Sequence, residues 1–523
     1  MATRACVILA VALAASVAGA TPPRDSLEPD PERVLLPIGR AAAVALPGSW
    51  RLYDSLVSGV SVAAEDPAVG ATTPETSLIE SRLRLQPTLL VQSRGFFKLW
   101  RLTADGELHV TLAESTRPPV GLEADERWQF IDDQPVLRLT RLNLVMAAEH
   151  LLIKAGLERS HFGLGLLAND GEDAPPGITR ESPFGISRQG DQVLRGQITV
   201  LPQGVVVGQG GAKPPIALTV AIDAIIDDDT AAWFDGDRAY QALAGVQLAF
   251  DAGQFALGLA QRRQTHADGG ETLVNIGLVG GSAAADLGGG RRLFGEVEAA
   301  GYAGHTDFVQ SVVRPGNYSI LSAGGALRGG VEAPRYNALV EVGFASGDAN
   351  GFDDELHGFS FDRDYRLGLL MFSEVVRATT AVAAHNVADP RFRGQPPRGY
   401  DSLASDGAVT NARYVNPRMS WTPGADLTLH LGYLFATTDE PYADPFRSGL
   451  AGGAAVGPRG ALDQSVLGQE VDVAMSWEPR WTPIGARIAL QAAWFQPGAV
   501  FDSPDAGAAE DVTGGFLHVE GWW

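Results

Sequence analysis

The chain has 523 residues, with 62 glycines, five methionines, one cysteine and a formal net charge of −22. A mean hydropathy of +0.01 fits neither a soluble helical enzyme nor a disordered chain. Forty basic residues against 62 acidic ones argue against nucleic acid as a partner, because phosphate binding rests on clustered cations.

The first element is a cationic start, Met1-Ala-Thr-Arg4, followed by an apolar run from Ala5 to Val17 and a small-x-small site at Ala18-Gly19-Ala20. Together, residues 1–20 read as a Sec signal peptide, with a mature start near Thr21. Cys6 leaves with it, so disulfides and thiolate metal sites are excluded from the mature chain. No later segment offers the roughly 18 uninterrupted apolar residues of a membrane-spanning helix. Residues 21–76 show no convincing strand pattern and are expected to form a periplasmic lead-in or a plug.

From residue 77 to 523 a dyad pattern recurs. In Ile79 to Gln92 the apolar set Ile79, Leu83, Leu85, Leu89 and Val91 alternates with Glu80, Arg82, Arg84, Gln86, Thr88 and Gln92, so one face suits lipid and the other water. The phase slips within Leu137 to Leu144, which predicts a bulge or a turn. Clear alternation returns in 216–223, 240–251, 254–264, 292–302, 337–344, 427–435, 470–477 and 487–494, each about the length of a tilted membrane-crossing strand. Tight turns at 250–254, 286–290 and 421–425 alternate with long polar stretches at 169–192, 347–363, 388–406 and 438–464. Short turns on one side and long loops on the other are the asymmetry of an outer-membrane barrel. Tyr365 to Val376 is nearly continuous apolar sequence and predicts a short helix on a loop or inside the lumen. Trp421, Trp477, Trp481, Trp494, Trp522 and Trp523, with Tyr433 and Phe435, fall near strand ends, as interfacial girdles do. The last strand, Phe516 to Trp523, sets Leu517, Val519, Gly521 and Trp523 on one face and His518, Glu520 and Trp522 on the other, the form of a signal for the barrel-assembly machinery. The expected fold is all-β: an antiparallel transmembrane β-barrel of roughly 16–18 strands.

The candidate functional residues are Arg82, Arg84, Arg138, Arg262, Arg292 and Arg487, which occupy the water-facing phase of their strands. Lys98, Lys154 and Lys213 are the only lysines, so nearly all positive charge is guanidinium, although a GC-rich genome would also shift Lys to Arg. A ring of such groups can guide an anion. Glu80, Asp223, Glu296, Glu298, Glu341, Glu470 and Asp472 share that phase, and the plainer reading of mixed charge is a ladder of salt bridges supporting the wall. The acidic clusters Asp227 to Asp229, Asp353 to Glu355 and Asp362 to Asp364 lack a calcium-loop spacing and read as solvated loop tips, bridged to lipopolysaccharide by cations. No motif for a nucleophile elbow, zinc site or phosphate loop is present; Ser160-His161 and Asp353 to His357 are the only neighbourhoods suggesting rim chemistry. The residues imply no cofactor and no metal site.

Gln469 to Trp477, followed by Arg487 to Phe501 with Trp494-Phe-Gln-Pro-Gly498, resembles the closing strand pair of alginate-export-type outer-membrane barrels. His161 to Gly171 and Phe361 to Leu370 resemble a group of delta-proteobacterial outer-membrane proteins of unassigned function. The resemblance implies a lumen lined by arginines and export of an anionic polysaccharide, with outer-membrane lipid and lipopolysaccharide as surroundings. The expectation is a passive channel or exporter for small solutes or anionic polysaccharide; the alternative is a closed structural barrel that binds partners through its long loops.

Overall fold

The computed structural model describes residues 36–37, 42–60, 76–114, 136–172, 179–186, 190–204, 215–308, 316–349, 353–389, 399, 403–424, 426–458, 462–479, 485–502 and 507–523. Residues 1–20, expected from the sequence to be a signal peptide, most of the segment up to residue 41, and Trp481 lie outside them.

Eighteen antiparallel strands close into one barrel. In chain order they are β1 (Ala42–Ala45 continued by Gly48–Val57), β2 (Thr76–Leu85 continued by Thr88–Gln92), β3 (Leu99–Glu114), β4 (Val136–Ala147), β5 (Leu151–Arg159) and β6 (Gln192–Val200). They continue as β7 (Ile216–Asp228), β8 (Arg238–Phe250), β9 (Gly253–Thr265), β10 (Glu271–Gly288), β11 (Arg291–Thr306) and β12 (Tyr318–Ala333). The last six are β13 (Tyr336–Ala345), β14 (Ala412–Trp421), β15 (Leu427–Thr437), β16 (Val466–Trp477), β17 (Gly485–Pro497) and β18 (Val512–Trp522). β1 and β2 are broken at Leu46-Pro47 and Gln86-Pro87, where proline removes a ladder donor. β18 pairs with β1, Leu517 opposite Asp54 and Glu520 opposite Arg51, and this seam closes the barrel.

The seam corrects the sequence reading of residues 21–76: Gly48–Val57 is wall and not lead-in or plug. The reason is visible in its faces. Trp50 and Leu56 point out, yet Asp54 shares their phase, and the inward face carries the buried Tyr53 and Val57 beside Arg51. Both faces therefore mix polar and apolar residues, and the hydropathy alternation is blurred.

Elsewhere the dyad rule holds. Leu218, Val220 and Ile222 are exposed while Ala217, Ala221 and Asp223 are buried, as expected where lipid bathes one face. The phase slip in β4 is a bulge: Asp105 pairs with Arg141 and Gly106 with Leu139, so Thr140 is the extra residue. Exposed Phe250, Trp421, Trp477 and Trp523 lie at the short-turn end, and Tyr240, Phe344 and Trp494 toward the other, in two girdles.

Two long connections, 160–191 between β5 and β6 and 346–411 between β13 and β14, fold inward in their described residues. The second contains a π-turn, Met371–Val376, at the end of the stretch where the sequence predicts a short helix, and α1, Arg377–Ala388, which lies beyond that stretch. Their apolar side chains, including Leu166, Phe184, Phe359, Phe361, Leu370 and Met371, form the largest buried core. That core takes its wall residues from β11 onward through β18 to β1, among them Ala326, Tyr414, Leu434, Phe495, Phe516 and Tyr53.

Candidate functional site

The lumen has two unlike flanks. Along β11 to β18 the wall supplies small and aromatic residues to the core of the inward loops, with a few carboxylates that hold the loops in place. Glu298 of β11 accepts N–H bonds from Leu164, Gly165 (3.0 Å) and Leu166 (3.4 Å). Gly163 and Gly165 make this wrap accessible through φ of 59° and 86°; a Cβ at Gly163 would lie 2.5 Å from the Glu298 carboxylate. Glu470 of β16 accepts from Leu369, Leu370 and Met371 at 2.6, 2.9 and 2.7 Å. It thereby satisfies N–H groups at the start of the helical segment, which has no side-chain cap of its own. Glu341 of β13 accepts from the Tyr365 and Tyr414 hydroxyls and from Arg418, at 2.6, 3.0 and 2.9 Å.

From β2 to β7 the inward face carries a dense set of paired charges among its apolar and neutral residues. Arg84 donates from Nε to Asp105 (3.0 Å) and from Nη1 to Glu172 (2.7 Å). Arg159, whose side chain is fully covered, binds Glu107 and also Glu172 at 3.2 Å. Glu172 belongs to the first inward loop, so this knot ties that loop to β2 and β5. Arg195 of β6 holds Asp223 of β7 through two bonds of 2.8 and 2.7 Å. Lys154 pairs with Glu158.

Of the six arginines named from the sequence, Arg82 lies 4.0 Å from Glu107, next to the Arg84 and Arg159 knot. Arg138 sits in the field of Asp227 and Glu107. Arg262 bonds Asp228 (2.5 Å) and the Thr230 hydroxyl (2.8 Å). Arg487 pairs with Glu520 across the β17–β18 ladder at 2.9 Å. Arg292 stands apart at the short-turn rim, with more than half its side chain exposed and Glu332 3.9 Å away. The structure therefore gathers Arg82, Arg84 and Arg138 on one flank and spreads the other three round the wall. Sequence reasoning missed Arg51, Arg159 and Arg195. Arg195 was readable: Val193, Arg195, Gln197 and Thr199 alternate with exposed Leu194, Ile198 and Val200. Arg159 ends a strand and its partner Glu172 is distant in sequence, so no local pattern marks it.

At the long-loop end the lumen opens into a cavity of about 740 Å³ whose lining includes Asp191, Asp229, Arg262, Tyr302, Asp362 and Arg363. Two of the acidic clusters read as solvated loop tips meet here instead. Asp362 and Asp364 are buried, and Asp229 pairs with Arg363, Nε to Oδ1 at 3.0 Å. Burial, then the neighbouring carboxylates, pushes Asp191 and Asp362 well above the usual carboxyl range. The cause of the correction is tertiary: only inward folding of the 346–411 loop brings Asp362 to the β7 end.

The two histidine neighbourhoods show structural contacts. The Ser160 hydroxyl accepts from Arg195 at 3.2 Å, and the His161 ring meets the Gly163 carbonyl at 3.3 Å and Asp170 at 3.5 Å. The His357 ring bridges the Leu321 carbonyl (2.9 Å) and Glu355 (3.0 Å), contacts that raise its pKa. The closing strand presents Leu517, Val519 and Trp523 outward and buries His518 and Glu520.

No family model and no curated protein matches this chain. Crystal structures from Pseudomonas aeruginosa share its architecture. OpdQ, at 9% identity, has a TM-score of 0.51 over 92% of this chain and 98% of that one. OpdK with vanillate, at 11% identity, has a TM-score of 0.51 over 91% and 98%. The outer membrane protein OprD, at 11% identity, has a TM-score of 0.50 over 92% and 93%. Identity this low speaks for fold alone: an 18-stranded closed antiparallel barrel of the kind found in these outer-membrane proteins.

Proposed function

We propose that this protein is a passive channel of a Gram-negative outer membrane for small solutes that carry a carboxylate. One observation carries the reading: the apolar filling of the lumen leans on β11 to β18 and β1, while β2 to β7 turn paired guanidinium and carboxylate groups inward. A hydrophilic flank beside an apolar plug suits a small polar solute better than a polymer of acidic sugars. Guanidinium groups already paired in fork geometry can exchange one carboxylate for another as a solute passes. The vanillate complex of OpdK, a protein of similar fold, supports a small carboxylate as cargo.

Planar-bilayer recording of the refolded barrel tests this. The expected result is steady conductance with a reversal potential on the anion side, shifted toward neutrality when Arg82→Gln and Arg138→Gln are combined. Block by alginate with no response to small carboxylates would move the reading to polysaccharide export. A folded barrel without conductance would instead favour the structural, loop-binding alternative.

A further inference from the structure

Asp191, Asp229 and Asp362 come from three separate segments: the end of the first inward loop, the turn after β7, and the second inward loop. Each offers one carboxylate oxygen, and the three atoms lie within 4.8 Å of one another. Backbone bonds fix two of these positions firmly. Asp191 N–H donates to the Asn169 carbonyl (2.7 Å) and its own carbonyl accepts from Ser160 (2.9 Å), while Asp362 N–H donates to the Leu166 carbonyl (2.7 Å).

The three carboxylates differ in what already holds them. Asp229 accepts from Arg363 through both its backbone N–H (2.9 Å) and Nε (3.0 Å). Asp362 accepts a single local bond, from the Asp364 N–H at 2.7 Å. Asp191 is only 7% exposed, and no hydrogen-bond donor or ion-pair partner meets its carboxylate among the described residues. A buried carboxylate aimed at two others and left unpartnered is costly unless a proton or a counter-charge joins it. The nearby cations are committed: Arg262 to Asp228 and Arg363 to Asp229.

We propose that Asp191, Asp229 and Asp362 bind a divalent cation of the Ca²⁺ type, which staples both inward loops to the end of β7. The donor set is all oxygen, as hard cations require, and the adjoining cavity admits the ion with the water molecules that complete its shell. Two oxygens on opposite sides of one Ca²⁺ stand about 4.6–5.2 Å apart, so the observed spacing needs little closure. The ion acts on loop position and does not depend on what the channel carries.

Calcium titration of the refolded, lipopolysaccharide-free barrel by calorimetry at neutral pH tests the site. The expected result is one Ca²⁺ per barrel, with affinity reduced at least tenfold in Asp191→Asn and in Asp362→Asn. Asp353→Asn, in the exposed cluster outside the site, should bind as the parent does. No saturable binding up to millimolar Ca²⁺, or binding indifferent to both variants, overturns the proposal. Should the variants fail to refold, limited proteolysis of the parent decides. Cleavage within 356–389 is expected to be faster in EDTA than in Ca²⁺, and equal rates overturn the site.

Discussion

Single side chains decide where the inward loops rest. Glu298 is one carboxylate serving a glycine-rich wrap, and Glu470 is another serving the start of a helical segment. In both cases a wall residue replaces the cap that local sequence would otherwise supply. Glu298→Ala should leave the Leu164 and Leu166 N–H groups without an acceptor, at about 1–3 kcal/mol for each buried donor. Hydrogen exchange is the check: protection should fall across 162–168 while the strands keep theirs. Uniform loss along the chain would mean that Glu298 supports the wall itself. Glu298 was legible in the sequence as an inward residue of β11, but its partners were not, because Leu164 lies more than 130 positions away.

Elements inside the barrel obey a different rule from those in its wall. Wall strands alternate because lipid and lumen differ, whereas Tyr365 to Val376 is nearly continuous apolar sequence because most of its apolar side chains are buried against protein. Its near-continuous hydrophobicity was the sequence signal for a short helix, on a loop or inside the lumen, and only the packing decided between the two. Leu370 is fully buried at the centre of that packing. Leu370→Asp would place an unpaired charge there, at a cost of several kcal/mol, and the loop would leave the lumen rather than bury it. The expected outcome is larger single-channel conductance from a barrel that still migrates as folded on unheated gels. Unchanged conductance would show that this loop does not restrict the passage.

For the molecule as a whole, closure is the decisive event, since an open sheet of this length would expose two unpaired edges. The seam joins the first strand to the last across most of the sequence, and it is completed by mutual backbone bonds between Gly48 and Trp523 of 3.2 and 3.0 Å. A Cβ at Gly48 would come within 2.3 Å of the Trp523 ring, so the small residue and the terminal aromatic form a matched pair. Deleting Trp523 removes both bonds and an exposed interfacial ring. The yield of heat-modifiable, folded protein in the outer membrane should fall severalfold, while whatever folds keeps the parent conductance. An unchanged yield would show that closure of the seam does not need this residue.

The sequence by itself determined the class of fold, because a wall with lipid on one side and water on the other imposes a two-residue period that survives in most strands. It also located the phase break near Thr140, leaving the register to decide that it is a bulge, and the alternation of Leu517, Val519 and Trp523 and of most of the wall arginines. Tertiary structure alone decided what fills the lumen. Gly48–Val57 escaped detection because its inward face packs against protein as well as polar groups, which erases the contrast the period depends on. The meeting of Asp191, Asp229 and Asp362 escaped for a related reason: loop acids carry no periodicity, and their burial follows from two long connections turning inward to find an apolar core.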